Sequence, residues 1–340
     1  MSADRAGAIS RFLTGAGWEG AAREPIAGDA SSRRYARVRA GAQTAVLMDA
    51  PGAAQSNARF IEVAAHLRHR GLSAPRIFAS DVSQGLMLLE DFGDASFPEL
   101  LEKTPSRERA LFEAATDVLV DLHAHPAAPG PGFSPDLGPA VLTEQAGLGY
   151  DSYLPAVMGC SDPAARREMQ RFMAEAFTAL PAWTPVLVLR DYHAGNLFWL
   201  PERIGAARVG LIDFQDAGLG HPLYDLVSLA RDARRIVAPE TIAAMQARYT
   251  EATGTRPGAA WPLLAVQRNL RILGIFARLA CDHGKPGYLD FLPRTWALMS
   301  EDLEHKSLTR LKRRLLTDLP RPTPDVITEL KGRCPTTPTR

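Results

Sequence analysis

Two stretches decide how this chain is read: Val188-Leu189-Arg190-Asp191-Tyr192-His193-Ala194-Gly195-Asn196-Leu197-Phe198 and, after a short hairpin, Leu211-Ile212-Asp213-Phe214-Gln215-Asp216. Their polar residues sit between short apolar strands. An acid, an asparagine five residues on, and a second acid at the end of the next strand form the arrangement needed to move a phosphoryl group from a nucleoside triphosphate. An attacking hydroxyl must lose its proton, and Asp191 is the carboxylate placed to accept it. Magnesium prefers hard oxygen ligands, which Asp213 and the amide oxygen of Asn196 supply. The metal offsets the charge that would repel the nucleophile, so Asp213 is the residue whose loss should hurt most. Singly, each of the three is an ordinary turn or cap residue. Their combination at this spacing carries the reading.

Working outward, residues 6–13 read as a short amphipathic helix and are followed by a β-rich region. Three antiparallel strands are expected around Glu24-Pro25-Ile26, Tyr35 to Val38 and Thr44 to Met48, with the turn-forming Gly28-Asp29-Ala30-Ser31-Ser32 between the first two. Asn57 is placed to cap a helix that Gly71 ends. Two more strands fit Arg76–Ala79 and Leu86–Glu90, and Asp91-Phe92-Gly93-Asp94 breaks the pattern. Beyond Ser96 the chain turns helical, with periodic stretches at 107–123, 143–157 and 163–180. The strands 186–189, 197–200 and 209–212 interrupt these helices, which resume at Pro222 and run to about Leu316. The Pro- and Thr-rich end from Pro320 reads as a mobile tail.

The chain's 340 residues, 46% apolar and 23% charged, suit a folded protein with two cores. A net charge of +1, from 39 basic and 38 acidic residues, gives no global attraction to nucleic acid or an anionic membrane. The polar N-terminus and the lack of a long apolar run point away from a signal peptide or a membrane span, and so to the cytoplasm. Cys160, Cys281 and Cys334 lack CxxC spacing and read as free thiols, without a structural zinc site.

Arg190-Asp191 with Asn196, then Ile212-Asp213-Phe214, resemble the catalytic loop and metal-binding motif of the aminoglycoside phosphotransferase and choline kinase superfamily. Asp213 to Ala217, Gly220 to Leu226, Gly28 to Tyr35 and Gly284 to Tyr288 are similar to the bacterial cell-wall-recycling kinases that phosphorylate N-acetylmuramate and N-acetylglucosamine at the anomeric hydroxyl. The resemblance spans about Ala6 to Leu316. It implies an α+β, bilobal, protein-kinase-like fold: a nucleotide-binding lobe with a small antiparallel sheet over residues 1–92, a mainly helical catalytic and substrate lobe over 93–318, and the tail over 319–340. It also implies ATP and Mg2+ as cofactors and a small sugar as acceptor, with Asp191, Asn196 and Asp213 catalytic. The backbone from Glu90 to Phe92 would meet the adenine edge, and Asp225 would brace the catalytic loop.

Three departures stand out. Met48 occupies the strand position where many kinases carry a phosphate-gripping lysine, so Glu62 loses its expected partner and reads as an exposed helix residue. Leu189 precedes Arg-Asp where a histidine is common. No GxGxxG is present, which leaves Ser31 and Ser32, or Arg33 and Arg34, to hold the phosphates. His193 and Asp216 are candidate sugar contacts, and each also reads as a loop residue. Two other readings stand beside the sugar kinase: a kinase acting on an aminoglycoside or choline, and a nucleotide-binding pseudokinase.

Overall fold

Five strands between Ala22 and Glu90 form one antiparallel sheet. In the computed structural model, which describes residues 3–26, 33–124 and 137–334, α1 (Ala3–Gly15) precedes β1 (Ala22–Ile26), β2 (Arg34–Ala40) and β3 (Gln43–Asp49). Then come α2 (Ala54–His69), β4 (Ile77–Asp81), β5 (Leu86–Glu90), α3 (Phe97–Lys103) and α4 (Glu108–His123). The sheet order is β1-β2-β3-β5-β4. Side chains alternate across the sheet, so Val38, Ala45, Leu47, Leu86 and Leu88 share one face and pack with Ile9 and Leu13 of α1. Burying each of the larger aliphatic side chains contributes about 1.5–3 kcal/mol. Met48 falls on the opposite face, fully buried, in register with Tyr35 on β2 and Met87 on β5.

The chain continues with α5 (Pro139–Ala146), α6 (Leu154–Met158), α7 (Pro163–Thr178), β6 (Val186–Val188), β7 (Leu197–Trp199), β8 (Val209–Leu211) and β9 (Gly218–Gly220). It ends in α8 (Tyr224–Ala230), α9 (Pro239–Thr253), α10 (Ala260–Cys281), α11 (Leu292–Asp302), α12 (Thr309–Asp318) and α13 (Pro324–Arg333). Strands β6 and β9 form one antiparallel ribbon and β7 and β8 another.

These elements make two compact units. The first holds residues 3–124 and 189–217, the second residues 137–188 and 218–334. The polar cluster around Asp191 and Asp213 therefore belongs to the same unit as the five-stranded sheet, a grouping different from the division at residue 92 read from sequence. Several contacts explain it. Leu211 donates its amide to the Ser73 carbonyl at 2.8 Å, Phe214 stacks on Phe60 with ring centroids 4.8 Å apart, and Arg203 pairs with Glu90 at 2.5 Å.

Other local expectations shift for identifiable reasons. Helix α2 begins three residues before Asn57, which is buried inside its first turn and donates to the Ala50 carbonyl at 3.4 Å instead of capping the helix. Gly71, at φ +76, ends it as expected. The helix expected over 143–157 is interrupted by a π-helical turn at Gly149–Tyr153. A Cβ on Gly274 of α10 would come within 2.2 Å of the Leu148 carbonyl, so α10 approaches this turn too closely for any side chain there. The expected tail is helical as far as Arg333, because Ile327 and Leu330 bury one face of α13 and Thr323 caps its start. Among the described residues, no helix is long and apolar enough to cross a membrane.

In the second unit, His221 lies just before α8, its ring centroid 4.8 Å from that of Trp183, and its Nδ1 accepts the Leu223 amide at 3.1 Å. Burial lowers its pKa from 6.5 to about 4. Between these values the unfolded chain binds a proton that the folded chain refuses. Stability contributed by the neutral ring is present above pH 6.5 and is lost as pH falls towards 4, by about 3 kcal/mol in full. Urea unfolding should therefore give a lower midpoint near pH 4.5 than near pH 7, and His221→Gln should flatten that part of the profile. An unchanged slope in the variant would assign the acid sensitivity to other groups.

Candidate active site

Two residues outside glycine take left-handed backbone among the described residues, Arg190 at φ 72 and Asp213 at φ 59. Such conformations are sparsely populated for side-chain-bearing residues and concentrate where surrounding structure enforces them. Here the enforcement is visible. Asp191 donates its amide to the Leu189 carbonyl at 2.9 Å, and Asn196 donates Nδ2 to the Asp191 carbonyl at 2.8 Å, closing the loop on itself. The Ile212 amide reaches the Asn196 carbonyl at 3.2 Å, which joins the end of β8 to that loop. Tyr192 is buried and donates its hydroxyl to the Ala115 carbonyl of α4 at 2.7 Å. Phe214, buried against Phe60, anchors the residue after Asp213. Asp213 thus leaves the strand between two fixed neighbours, with its carboxylate turned to the polar side.

Asp213 Oδ1 accepts from Gln215 Nε2 at 2.9 Å and from Arg33 Nη1 at 3.2 Å. Arg33, largely buried, is held from its other side by Nη2 donating to Ser56 Oγ of α2 at 2.7 Å. The Asp213 carboxyl is raised above the ordinary carboxylate range, first by burial and then by the like charges of Asp191 and Asp216, while Gln215 and Arg33 oppose the rise. Its side chain still keeps 41% of its accessible surface, so water screens part of that repulsion. The Tyr35 phenol is raised too, chiefly by burial and also by the Asp213 charge, with Arg33 opposing.

A divalent cation fits this donor set. Asp191 and Asp216 each repel the Asp213 carboxylate, and the Asn196 amide nitrogen is committed to the Asp191 carbonyl, which leaves its oxygen as the ligating atom. Among the described residues, no group of three or more His, Cys, Asp or Glu side chains makes a ready metal cage. A cation here would need further oxygens from phosphate and water, as Mg2+ ordinarily takes.

The other expected residues divide. Arg34 points elsewhere, pairing with Asp49 at 3.0 Å, and is half-exposed. Ser31 and Ser32 lie outside the described residues. Glu90 accepts from Arg203 and from the Arg76 amide, and donates its own amide to the Arg76 carbonyl at 2.8 Å. Its carboxylate and amide are thus engaged with the protein. The Phe92 ring lies over Gly210, where a Cβ would meet it at 2.8 Å, and Arg203 stacks on it at 5.5 Å. Beside them Arg37 ties β2 to Asp91 at 2.7 Å and to Asp94 at 2.7 Å, bracing this connection. The His193 ring crosses the loop's own backbone, 3.1 Å from where a Gly195 Cβ would sit. Asp216 is exposed. Glu62 is exposed as expected, 3.9 Å from Arg59, and Asp225 is fully buried in α8. Gln215, Ser56 and Tyr35 were not singled out as site residues. Tyr35, in β2 two residues after Arg33, feels the Arg33 and Asp213 charges.

Residues 22–261 match the model of the phosphotransferase enzyme family. A protein from Caulobacter vibrioides described as an N-acetylmuramate/N-acetylglucosamine kinase is 36% identical, covering 92% of this chain and 96% of its own. Among solved structures, a choline/ethanolamine kinase family protein from Mesorhizobium loti superposes with a TM-score of 0.62 at 18% identity, over 93% of this chain and 100% of that one. The ADP-bound aminoglycoside phosphotransferase APH(2'')-Ib gives a TM-score of 0.62 at 14% identity, over 92% of this chain and 99% of that one. These likenesses establish the α+β, protein-kinase-like fold.

Tyr192 ties the polar loop to α4 through the buried hydrogen bond of its hydroxyl to the Ala115 carbonyl. Tyr192→Phe should cost roughly 1 kcal/mol in urea unfolding, the usual net value of such a bond, and should speed amide hydrogen exchange at Asn196. Unchanged exchange would show that the loop holds its shape without this bond.

Proposed function

Because this chain belongs to the phosphotransferase enzyme family, we propose that it is an ATP-dependent sugar kinase whose acceptor is N-acetylmuramate or N-acetylglucosamine. One observation carries the chemistry: Asp191, Asn196 and Asp213 meet in a single hydrogen-bonded loop and strand end within one compact unit. The sugar rests on the 36% identical relative, which matches over nearly the whole of both chains. The anomeric position rests on the likeness of 213–217 and 220–226 to the cell-wall-recycling kinases. Free cysteines agree with a cytoplasmic setting for such recycling.

Asp191 accepts the proton of the attacking sugar hydroxyl, and transfer is direct, without a covalent intermediate on the protein. Asp213 and Asn196 are the residues that would hold Mg2+, whose charge would offset that of the triphosphate. Gln215 keeps the Asp213 carboxylate oriented. Arg33 supplies the cation that β3 lacks at Met48. Held by Ser56, it pairs with Asp213 before nucleotide binds and turns to the phosphate oxygens afterwards. Phosphate contacts by Ser31 and Ser32, adenine contacts by backbone near Glu90 and Phe92, and sugar contacts by His193 and Asp216 complete the proposal.

Three measurements test it. Asp191→Asn should abolish turnover while sparing nucleotide binding, and comparable turnover would identify another proton acceptor. Arg33→Ala should raise the KM for ATP on the order of tenfold or more, the usual effect of losing a charge-assisted hydrogen bond, whereas Arg34→Ala should change it little. Equal effects would remove the distinction drawn from their partners. Magnesium-dependent ATP consumption should be followed with N-acetylmuramate, N-acetylglucosamine, choline and an aminoglycoside, using phosphorus NMR of the product. An anomeric sugar phosphate supports the assignment; turnover confined to choline or the aminoglycoside removes the sugar but keeps the kinase, and nucleotide binding without turnover indicates a pseudokinase.

A further inference from the structure

Cys281 closes α10 and Cys334 follows α13, 53 residues apart in sequence, yet their Sγ atoms lie 3.6 Å from each other. Cys281 is partly exposed and Cys334 is buried. From this juxtaposition we infer that Cys281 and Cys334 form a dithiol modification site that a disulfide-class oxidant, such as oxidised glutathione, closes into an intramolecular disulfide joining α13 to α10.

The step balances through two exchanges. Cys281, the more accessible thiol, gives up its proton and its sulfur attacks the oxidant. A Cys281–glutathione bond forms while one glutathione leaves and takes a proton. The Cys334 sulfur then attacks Cys281 Sγ, forming the internal disulfide and releasing the second glutathione. Two protein thiols are oxidised and one glutathione disulfide is reduced to two thiols. The sulfurs must close from 3.6 Å to about 2 Å, the length of a disulfide.

The site is slow rather than reactive at rest. The Cys281 thiol is raised to about 12 by burial first, then by its hydrogen bond and charge interaction with Cys334 and by Asp282, with Arg333 opposing. Raising the pH increases the thiolate fraction, so closure should accelerate towards alkaline pH. The bond would matter because α13 is a short helix, anchored by Ile327, Leu330 and a Lys331–Asp290 pair at 2.6 Å. Closing a loop of this length removes conformations from the unfolded chain, so the oxidised form should unfold later.

The test uses the full chain carrying Cys160→Ser, which removes the exposed thiol. After incubation with oxidised glutathione, the expected result is a mass lower by about 2 Da. Thiol titration should show both thiols lost together, with a raised thermal midpoint that dithiothreitol reverses. Cys281→Ser and Cys334→Ser in the same background should each abolish the mass loss; either single variant that folds suffices as control. A stable glutathione adduct without internal closure, or two thiols still titratable after prolonged exposure at about pH 9, would overturn the inference. All three readouts are independent of kinase activity.

Discussion

Asp213 carries its charge where water is partly displaced and where Asp191 and Asp216 repel it, and its surroundings offset that cost. Gln215 supplies an uncharged donor and Arg33 a charged one. The backbone accepts a left-handed residue so that the carboxylate can leave the strand, and Phe214 secures the next position by stacking on Phe60. A half-buried anion whose one cationic partner in these bonds comes from 180 residues away is an exchangeable arrangement. Replacing Arg33 by a divalent cation would relieve the same repulsion more completely and release the guanidinium for another anion.

The position of that guanidinium follows from strand geometry. Met48 faces away from α1 and lies in register with Tyr35, in a fully buried setting where a lysine ammonium would be costly. Just before β2, Arg33 reaches Asp213 from outside the packed sheet and finds a second partner on α2 in Ser56. Arg34, one residue later, falls on the other side and meets Asp49, which Arg5 also binds. Adjacent arginines therefore do different work, because Arg34 is fixed in the strand beside Asp49 while Arg33 precedes it and meets Asp213. The planar guanidinium suits this relay, since it engages two oxygen partners at once while remaining charged.

Much of this was legible in the sequence. Alternation revealed the five strands and helical periodicity revealed most helices, because each pattern reflects which face is buried. Spacing brought Asp191, Asn196 and Asp213 to attention, and the fold brings them together. What escaped depended on partners distant in the chain. Choosing between Arg33 and Arg34 required knowing that Asp213 lies near the start of β2, 180 residues away. The interruption at Gly149–Tyr153 required knowing that α10 would press on it. The helical end required a partner surface for Ile327 and Leu330, since Pro and Thr content alone suggested a tail.

The grouping of 189–217 with the five-stranded sheet bears on how a common fold accommodates different acceptors. Asp191, Asn196, Asp213, Arg33 and the Glu90–Arg203 connection all lie within one unit, where their contacts fix them mutually. Chemistry built this way does not depend on which hydroxyl is offered. Solved structures of different kinases can thus share the fold at 14–18% identity, whereas fold likeness carries no information about the acceptor. Similarity at 36% that extends over both units is evidence of another kind, because it also covers the residues outside the unit that holds Asp191 and Asp213. The sugar assignment rests on that breadth, and the phosphoryl-transfer assignment rests on the geometry around Asp213.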